Sequence, residues 1–185
     1  MSDILLVLLM HQPDLSGHMQ RNAIEKATDT LLNNDHHIIN IYVDRRPIIL
    51  PNESIKTSWS KSVAAYNRVL TDIQFWDYDY LLWIEPKVSD YPCNLPSRLI
   101  EANPEGITSP LILPPGIVNA TDGSFEDREY VHTVTMVPTS IYLNDSESYT
   151  DHPTNTQHFA ICELARSEGK RVGVDLSTIA TLQVP

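Results

Sequence analysis

A glutamate and a lysine, Glu85 and Lys87, follow directly after the apolar run Tyr80–Ile84 and are separated by one proline. A short apolar run of this kind is typical of a buried strand, and residues that follow such a strand reach the cleft of an open α/β sheet. A carboxylate supplies oxygen ligands for Mg²⁺ or Mn²⁺, whereas an ammonium group attracts phosphate directly. The pattern leaves three possibilities open: a metal site, a phosphate site, or a pair without a ligand.

Two more polar residues follow predicted strands: His11 comes after residues 4–10, and Asp44 comes after residues 37–43. Because ligands of open α/β sheets bind beyond the carboxyl ends of the strands, we expect both near Glu85. The chain has six glycines and neither a GxGxxG nor a GxxxxGK[ST] motif. The common phosphate-binding loops are therefore excluded, and any phosphate must be held by side chains, a metal or a helix N-terminus.

Hydrophobic periodicity predicts the elements that carry these residues. Apolar positions at helical spacing predict helices over 19–32, 60–73, 96–103 and 156–168, and short apolar or alternating runs predict strands over 4–10, 37–43, 80–84, 107–113, 131–137 and 171–174. Pro110 places the run 107–113 at an edge or a bend. This alternation predicts an α/β protein, and since no linker appears, we expect residues 1–185 to form one domain.

Composition narrows the class of partner. The 185 residues carry a net charge of −11, and no cluster of basic residues is longer than Arg45-Arg46. Nucleic acid is therefore not expected as the main partner, because duplex binding needs a basic surface. Residues 4–10 are too few for a membrane span and lack the basic leader of a secretion signal. We expect a soluble, cytoplasmic protein without a membrane span.

Five segments resemble one known family in order and spacing: IYVDRRP, KSVAAYNRVL, YDYLLWIEPKV, TVTMVPTSIY and HFAICELARSEGKRV. They are similar to the GT-A fold glycosyltransferases, in particular the family 2-like members that use nucleotide sugars. The resemblance covers nearly the whole chain. It implies a Rossmann-like, mixed and mostly parallel sheet flanked by helices.

The resemblance implies roles for residues at matching positions. Asp44 stands where the family has an acidic residue that contacts the nucleoside, although an aspartate there also suits a strand that closes into a turn. Lys61 and Arg68 fall on the helix over the nucleotide, but Arg68 is displaced by two positions, and a solvated helix face accounts for both equally well. His11 is expected near the nucleotide by topology.

The resemblance departs from the family at the metal site. The family's Asp-x-Asp holds a divalent cation that bridges the donor's two phosphates, but here Lys87 replaces the second aspartate and has no lone pair to offer. The histidine that usually follows the final strand is also missing from STIATLQVP. We therefore expect no required metal, with Lys87 supplying the positive charge, or a decayed site that binds without turnover. Mn²⁺ or Mg²⁺ on Glu85 is the second choice.

A second departure lies at the last helix, where the family places Glu-Asp and uses one carboxylate as general base in inverting enzymes. This chain has Gln157 and His158, and a neutral imidazole, with a pKa of about 6.5, can accept a proton near neutral pH. His158 is the predicted catalytic base, with a surface or capping role as the alternative. Asp77 and Asp79 also spell Asp-x-Asp, but they precede their strand and are predicted to lie at the opposite edge of the sheet.

Together these features predict a glycosyltransferase that moves a sugar from a UDP- or GDP-type nucleoside diphosphate donor to a hydroxyl acceptor, either a glycan or a small molecule. The alternative is a catalytically inactive module of the same fold that binds nucleotide sugars or regulates a partner. Neither the donor sugar nor the acceptor follows from the sequence.

Overall fold

The computed structural model describes residues 1–10, 16–34, 36–47, 58–116, 124–142 and 158–183, and the side chains of 58–62 are excluded. The α-helices are α1 (Gly17–Leu32), α2 (Ser58–Asp72), α3 (Leu95–Ala102) and α4 (Phe159–Ser167). The strands are β1 (Asp3–Leu9), β2 (Ile38–Asp44), β3 (Tyr80–Ile84), β4 (Val88–Asp90), β5 (Ile107–Leu113), β6 (Phe125–Asp127), β7 (Val134–Pro138) and β8 (Val172–Leu182).

The described strands form one eight-stranded sheet in the order β2-β1-β3-β7-β5-β8-β4, with β6 beside β8. Strands β1, β2, β3, β5 and β8 run in one direction and β4, β6 and β7 run in the other. Antiparallel β7 therefore stands in the middle of a sheet whose other central strands are parallel. The predicted class, a mixed and mostly parallel α/β sheet with flanking helices, is confirmed.

Two hydrophobic clusters cover the two faces of the sheet. One contains Leu5 and Val7 of β1 with residues of α2 and α4, and the other contains Ile4 and Leu6 with residues of α1 and α3. Because successive side chains of a strand point to opposite faces, a strand between two helical layers must be apolar at every position. This explains why β1 and β3 are continuous apolar runs, and why Trp83 is only 1% exposed.

Strand β5 matches one of its two predicted alternatives, the bent strand, and not the other, the edge strand. It lies inside the sheet, between β7 and β8, and not at an edge. The bend predicted from Pro110 is present, since the register with β8 shifts between Pro110 and Leu111. A bulge accommodates a residue that has no N–H to donate. The position of Pro110 next to this shift allows β5 to remain internal.

Three features of the sheet are absent from the sequence prediction. Strands β4 and β6 are only three residues long, and β8, whose start is predicted over 171–174, continues to Leu182. The sequences of β4 and β6 are too short for a hydrophobic period to show. Their pairing depends on main-chain hydrogen bonds to the long strand β8.

No helix in the described part of the chain is long and apolar enough to span a lipid bilayer.

Candidate functional site

The carboxyl ends of β1, β2 and β3 lie side by side at one edge of the sheet. Leu9 is level with Asp44 in β2, and Leu8 is level with Ile84 in β3. Neighbouring strands are about 4.8 Å apart, so the ends of β2 and β3 are about 10 Å from each other. The residues that the sequence places after β2 and β3 are therefore brought to the same edge.

Asp44 is a buried carboxylate that two arginines surround. Its side chain is 1% exposed, and four N–H groups donate to its two oxygens. The main-chain N–H, Nε and Nη2 of Arg46 donate at 2.9, 3.0 and 3.1 Å, and the Nε of Arg68 donates at 2.9 Å. The Nη2 of Arg68 adds an ion-pair contact at 2.7 Å. A carboxylate offers about four lone-pair sites, so this set of donors already saturates Asp44.

The pKa of Asp44 reflects this environment. Burial alone would raise it, but the hydrogen bonds from Arg46 and Arg68 outweigh burial and lower the pKa below its ordinary value. Asp44 is therefore ionised at neutral pH and holds both guanidinium groups in place. A direct contact between Asp44 and a nucleoside would have to replace one of these donors, so the geometry favours an indirect role, and the predicted contact stays a prediction.

Arg68 connects helix α2 to the segment after β2. Its Nη1 donates to the main-chain oxygen of Pro47 and its Nη2 to that of Arg46, both at 3.1 Å. Arg46 also pairs with Asp72 of α2, and its side chain remains 49% exposed. The displaced position of Arg68 along α2 therefore does not remove it from the site. It reaches the end of β2 from the helix.

Glu85 and Lys87 form an ion pair at the end of β3. The Nζ of Lys87 lies 2.6 Å from an oxygen of Glu85, and the two side chains are 42% and 11% exposed. The main-chain N–H of Glu85 donates to the oxygen of Thr133 at 2.8 Å, which fixes the turn against the start of β7. Lys87 is thus held at the strand end by a largely buried carboxylate.

These residues fit a divalent cation poorly. Glu85 already has the ammonium of Lys87 against its carboxylate, and the described residues contain no group of three or more His, Cys, Asp or Glu side chains placed to hold a metal ion. Octahedral Mg²⁺ or Mn²⁺ needs several oxygen ligands, of which Glu85 would supply one. No step of the function proposed below depends on a metal.

His132 and Thr133 belong to the same site, although the sequence does not single them out. The Nδ1 of His132 lies 2.6 Å from the hydroxyl of Thr133. Partial burial lowers the pKa of His132, Glu85 raises it, and Lys87 lowers it further. The oxygen of Thr133 accepts the main-chain N–H of Glu85 at 2.8 Å, which places His132 next to the turn after β3. Thr133 has a φ of 72°, a costly conformation for a β-branched residue. The chain is strained where it presents His132 next to the ion pair.

His158, the predicted base, lies deeper in the protein. It is 1% exposed, and its Nε2 is 3.0 Å from the hydroxyl of Tyr66. The ring of Tyr66 in turn packs 4.4 Å from that of Trp83. Burial, with a smaller contribution from His132, lowers the pKa of His158 to about 3. Such an imidazole is a weak proton acceptor with little access to a substrate, so its geometry favours a supporting role.

The remaining predicted site residues lie outside the described part of the structure. His11 falls in the gap between residues 10 and 16, and the side chain of Lys61 is among the excluded ones. Their predicted roles stay predictions. Asp79, by contrast, accepts the main-chain N–H of Asp3 at 2.9 Å, at the amino end of β1. The Asp-x-Asp motif formed by Asp77 and Asp79 therefore lies at the opposite edge of the sheet, far from the candidate site.

Comparisons with known proteins agree with this architecture. No family model and no curated protein matches the sequence. A protein assigned as a nucleotide-diphospho-sugar transferase, from Desulfovibrio desulfuricans, matches over 95% of this chain and 82% of its own, with a TM-score of 0.50 and 12% identity. The structure of GalNAc-T7 with UDP, GalNAc and Mn²⁺ matches over 98% of this chain and 43% of its own, with a TM-score of 0.53 and 10% identity.

A third match is the CMP:2-keto-3-deoxy-manno-octonic acid synthetase, complexed with CTP. It covers 100% of this chain and 92% of its own, with a TM-score of 0.51 and 9% identity. The chain has the GT-A-like fold of nucleotide-sugar transferases. At these identities the likeness establishes the fold alone, and the narrower resemblance to family 2 members stays a prediction.

Within this GT-A-like fold, sequence reasoning found Asp44, Arg68, Glu85 and Lys87 because each follows a strand or faces one from a helix. It missed Arg46 and the role of His132. Since β7 runs antiparallel to β3, the residues just before β7 lie at the same edge as those just after β3. The direction of β7 is the signal that identifies His132, and it requires the topology.

Proposed function

We propose that this protein binds a nucleoside diphosphate sugar, of UDP or GDP type, across the ends of β1, β2 and β3 and transfers the sugar to a hydroxyl acceptor. The observation that carries the proposal is the ion pair of Lys87 and Glu85, 2.6 Å apart at the end of β3. This is the position at which the fold's metal-binding carboxylates are expected. A fixed cation there is suited to a diphosphate.

Lys87 is the group that meets the diphosphate in this proposal. An ammonium has three N–H donors, and one of them is engaged by Glu85, so the others remain for phosphate oxygens on the exposed side. Because Glu85 restricts the lysine to one orientation, the side chain loses less conformational entropy when the diphosphate binds. As the bond between the sugar and the diphosphate breaks, charge grows on the leaving oxygen, and the ammonium stabilises that charge.

The reaction is proposed to need no metal, because the Lys87 ammonium supplies the positive charge that a cation would supply in this fold. Support comes from the described residues, where the carboxylate of Glu85 is committed to Lys87. Mn²⁺ or Mg²⁺ on Glu85 remains the competing possibility, and chelation separates the two.

The arginine cluster after β2 is proposed to form the nucleoside side of the site. Asp44 holds Arg46 and Arg68, and Arg46 presents a half-exposed planar guanidinium. Such a group stacks on a base or donates to ribose and phosphate oxygens. Asp44 would then act through the arginines, in place of the direct contact that the family resemblance implies.

Two imidazoles compete for the role of proton acceptor from the acceptor hydroxyl. His158 follows from the family resemblance, but it is buried and bonded to Tyr66. His132 is exposed, and the residue after it, Thr133, accepts the main-chain N–H of Glu85. The proposal favours His132, since a general base must come within hydrogen-bond reach of the proton it takes.

The test is a titration with UDP, GDP, CTP and the corresponding nucleotide sugars, each in EDTA and in Mn²⁺. Melting temperature reports binding, and released nucleotide or pyrophosphate reports turnover. A ligand at one hundred times its Kd should stabilise the fold by about 2.7 kcal/mol. We expect a UDP- or GDP-sugar to bind in EDTA and to release nucleoside diphosphate when a sugar acceptor is present.

Other results have distinct meanings. Binding without release under any condition would support the alternative, an inactive nucleotide-sugar-binding module. Turnover that EDTA abolishes would overturn the metal-independent proposal only. Pyrophosphate release from CTP, the nucleotide in the complex of the synthetase of similar fold, would indicate nucleotidyl transfer in place of sugar transfer. If no nucleotide or nucleotide sugar binds, the proposed function is wrong.

A further inference from the structure

A cavity of about 510 Å³ opens at the same edge of the sheet, and His132 is one of the residues that line it. Its walls come from β5, with Ser109, Leu111 and Ile112, and from the segment before β7, with Arg128, Tyr130 and His132. His132 connects the cavity to the turn after β3, because the oxygen of the next residue, Thr133, accepts the main-chain N–H of Glu85 at 2.8 Å.

The cavity arises because two strands separate. Strand β5 pairs with β8 from Ile107 to Leu113, but the register with β7 contains one pair, Thr108 with Met136. Beyond that pair the main-chain groups on the β7 side of β5 have no strand beside them in the described part of the chain. Main-chain N–H and C=O groups need partners, and the hydroxyl groups of a ligand can supply them.

The lining favours a neutral ligand with both apolar and hydroxyl faces. Tyr130 is 37% exposed and offers an aromatic surface beside Leu111 and Ile112. Among the described residues that line the cavity, Arg128 is 2.8 Å from Glu126, and Glu129 adds a carboxylate that disfavours an anion. An anionic ligand would find no spare positive charge on these walls. A sugar ring matches this chemistry, because it stacks its C–H face on an aromatic ring and bonds through its hydroxyls.

We propose that this cavity binds the acceptor as a neutral sugar ring, stacked on Tyr130 with one hydroxyl directed at His132. The inference rests on the proposed function, and it adds the chemical class and the place of the acceptor. The Nδ1 of His132 faces the hydroxyl of Thr133, so Nε2 is the nitrogen that meets the acceptor. The tyrosine ring lies nearly parallel to the imidazole, at 27° with centroids 6.3 Å apart, which keeps both rings on one wall.

The experiment measures sugar binding without requiring turnover. The methyl glycosides of glucose, galactose, mannose, N-acetylglucosamine and N-acetylgalactosamine are tested by saturation-transfer NMR, alone and with saturating UDP or GDP. We expect at least one glycoside to bind with a millimolar Kd. Tyr130→Ala should weaken it at least tenfold, whereas Tyr130→Phe, which keeps the ring, should change it less than twofold.

Trp76→Ala is the matched control, because Trp76 is an exposed aromatic residue, 62% exposed, just before the amino end of β3. It should leave glycoside binding unchanged. Melting temperature shows whether each variant is folded. If Tyr130→Ala unfolds, Tyr130→Ser is tested in the presence of nucleotide. In the wild-type protein, line broadening of the Tyr130 ring signals then locates the sugar.

The outcomes separate this inference from the proposed function. If no glycoside binds under any condition, or if binding is the same in Tyr130→Ala or lost in Trp76→Ala, the acceptor site is wrong even when UDP or GDP binds. If a glycoside binds at Tyr130 and no nucleotide binds, the sugar site stands and the transferase function fails.

Discussion

The guanidinium of Arg68 lies 2.7 Å from a carboxylate oxygen of Asp44 and joins helix α2 to the end of strand β2. The same side chain donates to the main-chain oxygens of Arg46 and Pro47. One arginine therefore satisfies a buried charge and shapes the backbone beside the candidate nucleoside position. The stability of this edge of the sheet and the proposed ligand binding therefore involve the same contacts.

Replacing Arg68 with Ala should lower the free energy of unfolding by about 2 kcal/mol, because hydrogen bonds to charged groups contribute about 1.5–3 kcal/mol and Asp44 keeps Arg46 as a partner. Urea unfolding measures the change. The control is Arg128→Ala, which removes an exposed arginine paired with Glu126 and should cost less than about 1 kcal/mol. An equal decrease in the free energy of unfolding in the two variants would show that the contacts of Arg68 with Asp44 stabilise the fold no more than an exposed ion pair does.

The acid sensitivity of the protein should depend on Asp44. Its pKa is lowered in the folded state, so its contribution to stability is present above the unfolded value of about 3.9 and is lost as pH falls through the lower folded value. We expect the free energy of unfolding to drop below about pH 4. In Asp44→Asn this component should be missing, so the variant is less stable at neutral pH but loses less on acidification. Urea unfolding at several pH values measures the slope, and parallel profiles would contradict the assignment.

Removing the ammonium of Lys87 should weaken nucleoside diphosphate binding about 10- to 100-fold, since the loss of one charge-assisted hydrogen bond of about 1.5–3 kcal/mol has this effect on Kd. Calorimetric titration of UDP and GDP into Lys87→Ala, in EDTA, measures the change. Lys170→Ala is the matched control, because Lys170 also pairs with a glutamate, Glu105, but outside the candidate site. Unchanged affinity in Lys87→Ala would remove the basis for a lysine in place of a metal.

The order of elements and the site at the strand ends could be predicted because β1 and β3 are continuous apolar runs, and such runs locate both a strand and the residues that follow it. The run before Glu85 is the example: its boundaries in the structure are those predicted, Tyr80 and Ile84. In the same way β5 occupies the predicted residues, Ile107 to Leu113. Local pattern was sufficient for β3, where burial of Leu81 to Ile84 left no polar position.

Tertiary arrangement determines the features that the sequence did not predict. Pro110 predicts an edge strand or a bent one, and only the structure shows that a shift of register lets β5 lie inside the sheet. His158 has a suitable residue type for a base, but its burial depends on how the start of α4 packs against Tyr66 of α2. His132 becomes part of the site through the antiparallel direction of β7. None of these three relationships involves residues close together in the sequence.

The roles of His132 and His158 can be distinguished by comparing His158→Gln with His132→Gln. The glutamine amide can keep the hydrogen bond of an imidazole Nε2, but it cannot act as a general base. The pKa of His158 is lowered to about 3. Above about pH 6.5 both the folded and the unfolded states are neutral there. As pH falls from about 6.5 to about 3, the unfolded state binds a proton that the folded state does not, so the free energy of unfolding decreases.

His158→Gln should therefore remove part of the loss of stability between pH 6.5 and pH 4, the range above the effect of Asp44. His37 and His132, whose pKa values are also lowered, act in both proteins, so the difference between wild type and variant reports His158. In turnover assays His132→Gln should reduce kcat at least 100-fold, within the range of general-base catalysis, with Kd for the donor unchanged, and His158→Gln should reduce it less than tenfold. The reverse order of effects would return the catalytic role to His158 and would mean that the helix α4 end opens to admit the acceptor.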